Sequence, residues 1–195
     1  MKDFWNERFA DKDYIYGTRP NEFLKQELLK LSLGKILFPA EGEGRNAVFA
    51  AQVGWEVYCY DFSENGKQKA VLLAEKNKVK IHYDIFDHNS AIYPFDFFDA
   101  VSLIYAHTKE HSLLHQKALN WLKSGGTLIL EAFSKEQLNY NSGGPKDPGM
   151  LYSVDELNSD FSNCHEKRIW QEEIELSEGN YHQGRASVIR AIIKK

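Results

Sequence analysis

The chain has 195 residues, a formal net charge of -4 and 43% hydrophobic residues, the balance of an ordinary globular protein. The acidic balance argues against a nucleic-acid duplex as the main partner, and no stretch approaches the roughly 18 apolar residues of a membrane span. The first residues lack the apolar core of a signal segment. Cys59 lies in an apolar run, and neither it nor Cys164 has a nearby cysteine partner. We therefore expect a buried free thiol in a cytoplasmic protein, present as a monomer or homodimer.

Short apolar runs alternate with longer amphipathic segments over the first two thirds of the chain. In chain order the pattern predicts a helix at 21–31, a strand at 35–38, a helix at 44–53, a strand at 56–60, a helix at 63–76, strands at 79–85 and 98–105, a helix at 109–122 and a strand at 127–133. Strands that alternate with helices in this way are typical of a parallel sheet covered on both faces.

The regular alternation of predicted strands and helices ends after residue 133. Residues 135–149 are rich in Gly, Pro, Asn and Ser and are predicted as a loop, followed by a helix at 153–161. Strands at 166–176 and 186–193 then form a hairpin with a turn at 178–180. The predicted fold class is α/β: a Rossmann-like, doubly wound, mostly parallel sheet of seven strands with an antiparallel terminal hairpin. We interpret residues 1–195 as a single domain, with an N-terminal lid and helix at 1–31 and a substrate-side loop and helix at 135–162.

The most informative stretch is 36–47, where a short strand runs into a glycine turn and then opens a helix. Gly42 and Gly44 permit positive φ and a close approach of the backbone to a ligand. The free N–H groups of the helix start can hold polar or anionic atoms. The second predicted strand ends at Asp61, where a carboxylate can accept hydrogen bonds from the hydroxyls of a ribose. Together these features predict a nucleoside-cofactor site.

The stretches 41–46, 54–58 and 61–63 resemble class I S-adenosylmethionine-dependent methyltransferases, and most resemble the branch of tellurite-resistance and thiopurine-type small-molecule methyltransferases. The likeness includes 4–9, 14–21, 131–133 and 143–148, and so extends over nearly the whole chain. It implies S-adenosylmethionine as the cofactor. It also implies methyl transfer to a small-molecule acceptor, such as a thiol or a chalcogen oxyanion like tellurite.

Three positions depart from the family pattern at the end of the first strand. Members usually have Asp, Gly and a small residue or Cys where this chain has Phe38, Ala40 and Glu41. The missing Asp removes a carboxylate that often helps to organise the methionine amino group. Glu41 or Glu43 is a candidate substitute, and a solvated carboxylate is the alternative for either.

The resemblance implies that the cofactor contacts the glycine turn and the ends of the next three strands. The implied residues are Glu41, Gly42, Gly44, Arg45, Asn46, Asp61, Phe62, Asp87, His88 and Tyr105. Within this set Asp61 holds the ribose, and Arg45 grips the methionine carboxylate through two parallel hydrogen bonds. Asp87 accepts a hydrogen bond from the adenine amino group, with Asp84 as the competitor if the third strand ends earlier. A surface arginine and a solvated loop carboxylate remain open for Arg45 and Asp87.

The candidate acceptor side combines the aromatic N-terminal segment, the end of the fourth strand and the terminal hairpin: Trp5, Tyr14, Tyr16, Gly17, His107, His182 and Arg185. His107 is the candidate catalytic residue, because a histidine at this sheet edge can orient or deprotonate an acceptor near neutral pH. A structural histidine remains open for the same position. His182 and Arg185 suit an anionic acceptor.

His111 and His115 are four residues apart on a predicted helix, but no third ligand has convincing spacing, so we predict no metal site. Two other functions remain open. One is a non-catalytic protein that senses S-adenosylmethionine or its demethylated product. The other is a nicotinamide-dinucleotide oxidoreductase, whose Gly-x-Gly-x-x-Gly motif requires a third glycine where this chain has Ala47.

Overall fold

The structure is a computed structural model that describes residues 2–195. Over this range seven strands form one sheet in the order β3-β2-β1-β4-β5-β7-β6, with helices packed on both faces. The strands are β1 (Lys35–Pro39), β2 (Glu56–Asp61), β3 (His82–Ile85), β4 (Phe98–Ile104), β5 (Leu122–Phe133), β6 (Glu166–Glu178) and β7 (His182–Lys194). The helices are α1 (Lys2–Phe9), α2 (Glu22–Leu28), α3 (Arg45–Gln52), α4 (Glu64–Lys76), α5 (His111–Trp121) and α6 (Val154–Asp160).

The first five strands are parallel, and the order of strands reverses at β1. β2 and β3 follow on one side of β1, whereas β4 and β5 lie on its other side. In doubly wound sheets the connections leave β1 and its neighbour in opposite directions, which opens a crevice at the carboxyl ends of these strands. The predicted fold class is confirmed, and the crevice is where a ligand is expected.

β7 pairs antiparallel with both β5 and β6, so the hairpin joins the sheet through its second strand. The ladder continues to the pair Glu178 and His182, which makes both strands longer than the predicted 166–176 and 186–193. The sequence hides these ends because Ser177, Glu178, His182 and Gln183 are polar, and polar residues at strand ends look like part of the turn. The extension carries Glu178 and His182 to the edge of the crevice.

Other boundaries differ from the predictions for local reasons. The helix α1 within the N-terminal aromatic segment was not predicted, and β3 begins three residues later than expected. The ladder between β2 and β3 begins only at Tyr58 and His82, so residues 79–81 stay outside the strand. β5 begins at Leu122, immediately after α5, where the sequence predicted the end of that helix. Asn21 caps the start of α2, and Ser153 forms a capping box with Glu156 at the start of α6.

The core has one layer on each face of the sheet. Leu37 points into the layer under α5 and α6, whereas its neighbours Ile36 and Phe38 point into the layer under α2, α3 and α4. Phe38, the residue at the usual Asp position, is completely buried in this second layer. Cys59 is buried and free, as predicted. Among the described residues, no helix is both long enough and apolar enough to cross a bilayer.

Candidate functional site

A cavity of about 740 Å³ opens at the carboxyl ends of β1, β2 and β4. It brings together most of the predicted site residues: Glu41, Gly42, Arg45, Asn46, Asp61, Phe62, His88 and Tyr105 from the cofactor set, and Trp5, Tyr16, Gly17, His107 and His182 from the acceptor set. Four predicted residues, Gly44, Asp87, Tyr14 and Arg185, are not among its lining residues. The predicted cofactor residues line the end of the cavity at the glycine turn, which we call the cofactor end, and the predicted acceptor residues line the end at the lid and the hairpin, which we call the acceptor end.

Two residues that line the cavity have strained backbones. Ala40, with φ 54°, follows β1, and Tyr105, with φ 53°, follows β4. Left-handed conformations of residues other than glycine cost roughly 1–3 kcal/mol each and cluster at ligand sites. Both residues lie where the strand order reverses, so the strain coincides with the crevice. Gly44 has a different role from the predicted one, because a Cβ there would lie 2.6 Å from the Ala70 Cβ. Its small size allows α3 and α4 to pack closely.

The Glu41 side chain caps helix α3 from inside the glycine turn. Its Oε1 atom accepts the backbone N–H groups of Asn46 at 2.9 Å and Ala47 at 2.7 Å. The N–H groups that the sequence offered to a ligand are thus bound by the chain's own carboxylate, which corrects that expectation. Glu41 is partly exposed to the cavity but lies deep in the protein, and this burial raises its pKa to about 7.

Glu43, the other candidate for the missing carboxylate, has different partners. Its Oε1 atom pairs with Lys69 at 2.7 Å, and its Oε2 atom accepts the backbone N–H of Ile15 at 2.8 Å. Glu43 therefore binds the N-terminal segment to the glycine turn. Of the two candidates, Glu41 is the one that forms no ion pair within residues 2–195, although the charge of Arg45 opposes the rise of its pKa.

Asp61 lies at the end of β2 as predicted. Its carboxylate accepts backbone N–H groups from Gly42 at 3.2 Å and from Ser63 at 2.9 Å, and the residue is 6% exposed. Burial raises its pKa to about 6, although these two hydrogen bonds oppose the shift. The side chain is held rigidly on the cavity wall at the position expected for a partner of ribose hydroxyls.

The end of β3 differs from the expectation. Asp87 is exposed, and its Oδ1 atom accepts the backbone N–H groups of Asn89 and Ser90, so the carboxylate stabilises a turn outside the cavity. Its competitor Asp84 accepts a hydrogen bond from the Tyr93 hydroxyl at 3.2 Å and does not line the cavity either. His88 does line it, and burial lowers the pKa of His88 to about 4, so its ring is neutral.

Arg45 is buried and paired, which corrects the expectation of a guanidinium free to grip a carboxylate. Its Nη2 atom donates to Glu178 Oε2 at 2.9 Å, and its Nη1 atom donates to the Tyr16 carbonyl at 3.4 Å. The same Glu178 oxygen lies 3.0 Å from His182 Nδ1. Burial alone would raise the pKa of Glu178, but the hydrogen bond from His182 and the charge of Arg45 lower it to about 2. The ionised Glu178 thus joins α3 to the hairpin.

His107 lies in the cavity, but both nitrogens of its ring are engaged. Nδ1 donates to the Met150 carbonyl at 2.7 Å, and Nε2 accepts the backbone N–H of Phe133 at 3.3 Å. Burial lowers its pKa to about 4. This geometry favours the open alternative of a structural histidine, because the ring has no free lone pair to take a proton from an acceptor.

The N-terminal segment covers the acceptor end. Ile15 accepts a hydrogen bond from Asn180 N at 3.0 Å, so its backbone joins the hairpin tip to the Glu43 carboxylate. The Trp5 ring stacks on Phe9, with ring centroids 5.3 Å apart. The predicted lid residue Tyr14 lies outside the cavity, where its hydroxyl donates to the Lys69 carbonyl. Arg185 is exposed and pairs with Glu173 on the outer side of the hairpin, away from the cavity.

His111 and His115 meet a carboxylate that their sequence spacing does not reveal. Asp160, at the end of α6, lies 3.2 Å from His111 Nδ1 and 2.7 Å from His115 Nδ1. The fully buried His115 Nε2 has no partner within the described chain, whereas His115 Nδ1 faces the Asp160 carboxylate, which is ionised and can only accept a hydrogen bond. The His115 tautomer with its proton on Nδ1 is therefore favoured, and hydrogen bonds to Asp160 account for the cluster. The expectation of no metal site stays a prediction.

Sequence reasoning missed several residues that shape the acceptor end. Phe133, Pro145, Lys146 and Met150 line the cavity, and Glu178 orients His182. The signal for Glu178 is its spacing of four residues from His182 across a tight turn, which places the two side chains opposite each other in an antiparallel ladder. That signal depends on knowing the full length of the hairpin.

The comparison with protein families identifies the segment that builds the cofactor end. Residues 39–130, slightly less than half of the chain, match the family model of a methyltransferase domain. This part of the chain is therefore similar to a methyltransferase domain. The matched segment contains the glycine turn, Asp61, His88 and Tyr105, whereas the lid and the hairpin lie outside the matched residues.

Solved structures share the fold of the whole chain. A structure described for the conversion of a disulfide bond into a thioacetal group during echinomycin biosynthesis is 14% identical, with a TM-score of 0.74 over 100% of this chain and 92% of that chain. TehB from Haemophilus influenzae is 16% identical, with a TM-score of 0.70 over 100% and 66% of the two chains. A SAM-dependent methyltransferase from Aquifex aeolicus is 18% identical, with a TM-score of 0.59 over 87% and 89%. No curated protein matches the sequence.

At these identities the similar structures establish the fold and leave the acceptor open. The methyltransferase domain and the S-adenosylmethionine-dependent enzymes among the similar structures support S-adenosylmethionine as the cofactor.

Proposed function

We propose that the chain is an S-adenosylmethionine-dependent methyltransferase that acts on a small-molecule acceptor. The observation that carries this proposal is a single cavity that joins the glycine turn and Asp61 of the methyltransferase domain to an aromatic acceptor end. A binding protein for the cofactor alone would not need the second, aromatic half of the cavity.

The residues of the cofactor end fit the cofactor chemically. Asp61 presents a carboxylate to a ribose, and Gly42 with φ 61° exposes its backbone to the cavity. Glu41 offers a carboxyl group with no cationic partner to the methionine ammonium. S-adenosylmethionine supplies a methyl group that is already activated on a positively charged sulfur. The task of the protein is therefore to align an acceptor with that group and to exclude water.

The acceptor end favours a neutral molecule with an apolar body over a chalcogen oxyanion. Its walls include the rings of Trp5, Tyr16, Tyr105 and Phe133. Arg45 is neutralised by Glu178, and Arg185 lies outside. The Arg8 guanidinium lies over the rings of Phe4, Trp5 and Tyr181 and donates to the Tyr16 hydroxyl. Lys146 also lines the cavity but is exposed and donates to the Tyr140 carbonyl. Among residues 2–195 a multiply charged oxyanion such as tellurite would thus find no buried cation free of a partner in this aromatic pocket.

Calorimetric titration with S-adenosylhomocysteine tests the cofactor site. We expect saturable binding that Asp61→Ala weakens by about 10- to 100-fold, because hydrogen bonds to a charged group contribute about 1.5–3 kcal/mol. Asp87→Asn is the matched control, since Asp87 is an exposed carboxylate outside the cavity and should leave the affinity unchanged. Asp61→Asn, which keeps the side-chain shape, and thermal unfolding of each variant separate loss of binding from loss of fold.

Two results would contradict the proposal. Absence of S-adenosylhomocysteine binding at millimolar concentration would exclude the cofactor. Binding of a nicotinamide dinucleotide in its place, with the same dependence on Asp61, would support the oxidoreductase alternative.

A further inference from the structure

His182 differs from the other histidines of the cavity in its free nitrogen. Its ring lines the cavity and is 6% exposed, with Nδ1 on Glu178 and, within residues 2–195, no hydrogen-bond partner on Nε2. By contrast, both ring nitrogens of His107 are engaged, and His88 Nδ1 lies 3.1 Å from the Tyr60 hydroxyl. His182 is therefore the histidine of this set whose orientation is fixed by a carboxylate and whose other nitrogen is open.

The Glu178 carboxylate fixes the tautomer of His182. Glu178 is ionised and accepts from Arg45 and from Asn21 as well, so it can only accept from His182 and holds the imidazole proton on Nδ1. The lone pair of Nε2 is then available. Gly143 leaves room beside it, because a Cβ at Gly143 would lie 3.4 Å from Nε2 and 2.7 Å from Cδ2. A carboxylate that orients an imidazole with a free second nitrogen is the arrangement of a general base.

The surroundings of His182 keep its ring neutral, so that Nε2 is able to accept a proton. Burial lowers its pKa below the ordinary value, while the hydrogen bond and charge of Glu178 offset part of that lowering. The charged and titratable groups that face it are Glu178 on β6, Arg45 on α3, Glu131 on β5, Tyr16 in the lid, Tyr105 after β4 and His107. The rings of Tyr16 and Tyr105 lie 4.5 and 4.8 Å from it, centroid to centroid. An acceptor held against these rings would meet Nε2.

We propose that His182, oriented by Glu178, is the general base of this site and takes the proton of a neutral acceptor whose S–H or O–H group is too weakly acidic to ionise alone. This proposal rests on the proposed methyltransferase function and names the kind of acceptor. The acceptor gives its proton to Nε2 and its electron pair to the methyl carbon, whose former bond to sulfur breaks with the pair retained by sulfur. The positive charge of the sulfonium is replaced by that of the imidazolium, which the Glu178 carboxylate stabilises.

Imidazole NMR of the protein saturated with S-adenosylhomocysteine tests the base without turnover. In the wild type we expect His182 to be neutral at pH 7, with a protonated Nδ1 and a free Nε2. Glu178→Gln removes the charge of this positioning residue. In that variant the His182 ring should no longer be held in a single tautomer. If His182 Nε2 is protonated in the wild type at pH 7, His182 cannot act as the general base.

Kinetics with acceptors of different acidity provide the second test. Benzyl mercaptan and 4-methylphenol are weak acids, whereas 4-nitrothiophenol is ionised at neutral pH and needs no base. We expect His182→Gln to lower the rate with the weak acids by about 100-fold or more and to change the rate with 4-nitrothiophenol only a few-fold. For the weak acids the wild-type kcat/KM should rise with pH to a plateau as His182 loses its proton, and this limb should be absent with 4-nitrothiophenol.

The controls separate this inference from the proposed function. His165→Gln replaces an exposed histidine before β6 and should leave the rate with each of the three acceptors unchanged. If the wild type and His182→Gln bind S-adenosylhomocysteine with equal affinity, the substitution has left the cofactor site intact. An equal loss of rate with all three acceptors would make His182 a residue that only positions the acceptor. A wild type that binds S-adenosylhomocysteine but methylates only 4-nitrothiophenol, or none of the three, would overturn the base and leave the cofactor site standing.

Discussion

Glu41 combines two roles that favour opposite protonation states. Its Oε1 atom accepts the N–H groups of Asn46 and Ala47, while burial raises its pKa to about 7, well above the ordinary 4.5. Below about pH 7 the folded protein without a ligand thus favours the neutral carboxyl group. A cationic ammonium in the cavity would favour the carboxylate. A buried carboxyl group of this kind lowers the stability of the folded protein at neutral pH, and such a cost is expected where a residue serves ligand binding.

Glu41→Gln should remove a pH dependence of stability. Between about pH 4.5 and 7 the unfolded wild type ionises at Glu41 while the folded protein retains the proton, so the free energy of unfolding falls as pH rises through this window. The full effect, present above pH 7, is about 3 kcal/mol, because the pKa of Glu41 rises from its ordinary 4.5 to about 7. Denaturant unfolding from pH 4.5 to 8 should therefore show the variant gaining stability relative to the wild type.

The readout is the slope of that difference, because glutamine still accepts the two N–H groups and shifts the curve only by a constant. Glu64→Gln, at an exposed carboxylate of α4, is the control and should give a flat difference. The same Glu41→Gln protein should bind S-adenosylhomocysteine more weakly at pH 8. Parallel pH curves for wild type and Glu41→Gln would contradict the raised pKa.

At the scale of the elements, the hairpin tip and the N-terminal segment hold each other in place. Gly179, with φ 58°, packs so closely on this segment that a Cβ would lie 2.1 Å from the Ile15 carbonyl oxygen. Asn180 donates to that same carbonyl, and the Ile15 N–H donates to Glu43. The acceptor end is therefore closed by contacts among three elements distant in sequence.

Gly179→Ala should loosen the lid. The matched control is Gly125→Ala, since Gly125 has φ 77° but a Cβ at that position would meet nothing within 4 Å. Both variants carry the cost of a left-handed alanine, roughly 1–2 kcal/mol, and Gly179→Ala alone adds the clash. We expect tryptic cleavage after Lys12 to accelerate at least several-fold in Gly179→Ala only. Equal cleavage of the two variants would mean that the tip does not hold the segment.

Elements with a regular hydrophobic period were predictable from the sequence, and long-range polar pairs were not. The apolar runs that became β1, β2, β4 and β5 carry their own signal, as do the caps at Asn21 and Ser153. The glycine turn and Asp61 were found because their spacing is local. By contrast, Asn21 and Glu178 are 157 residues apart and meet only in the folded chain.

The same limit explains the errors at the site. Whether Arg45 is free or paired, and which histidine keeps an open nitrogen, depends on partners from other elements: Glu178 for Arg45, and Met150 with Phe133 for His107. Local patterns identify candidate residues, but the hydrogen bonds between elements assign their states.

At the scale of the whole molecule, the fully buried Glu131 connects the sheet to the start of α2. Its Oε2 atom pairs with Arg190 of β7 at 2.6 Å. Its Oε1 atom accepts from Asn21 before α2 at 2.6 Å and from Tyr105 after β4 at 2.7 Å. This network supports the strained Tyr105 from below the cavity.

Arg190→Met should destabilise the protein by about 3–5 kcal/mol, because it leaves the Glu131 carboxylate buried without its cation. Adding Glu131→Gln should recover part of that loss, measured by denaturant unfolding of the single and double variants. Arg185→Met, which removes an arginine of the exposed pair with Glu173, is the control and should leave the free energy of unfolding nearly unchanged, because solvent screens this ion pair. A double variant no more stable than Arg190→Met would show that the unpaired charge is not the cause.

The position of β7 in the sheet has a consequence for how the protein is made. β7 follows all other strands in the sheet along the chain, yet it lies between β5 and β6. During synthesis the edge of β5 stays open until β7 emerges from the ribosome, and an open edge is a template for pairing with other chains. His182 and Arg190 both belong to β7, so a nascent chain gains its complete site at the same moment as it closes this edge.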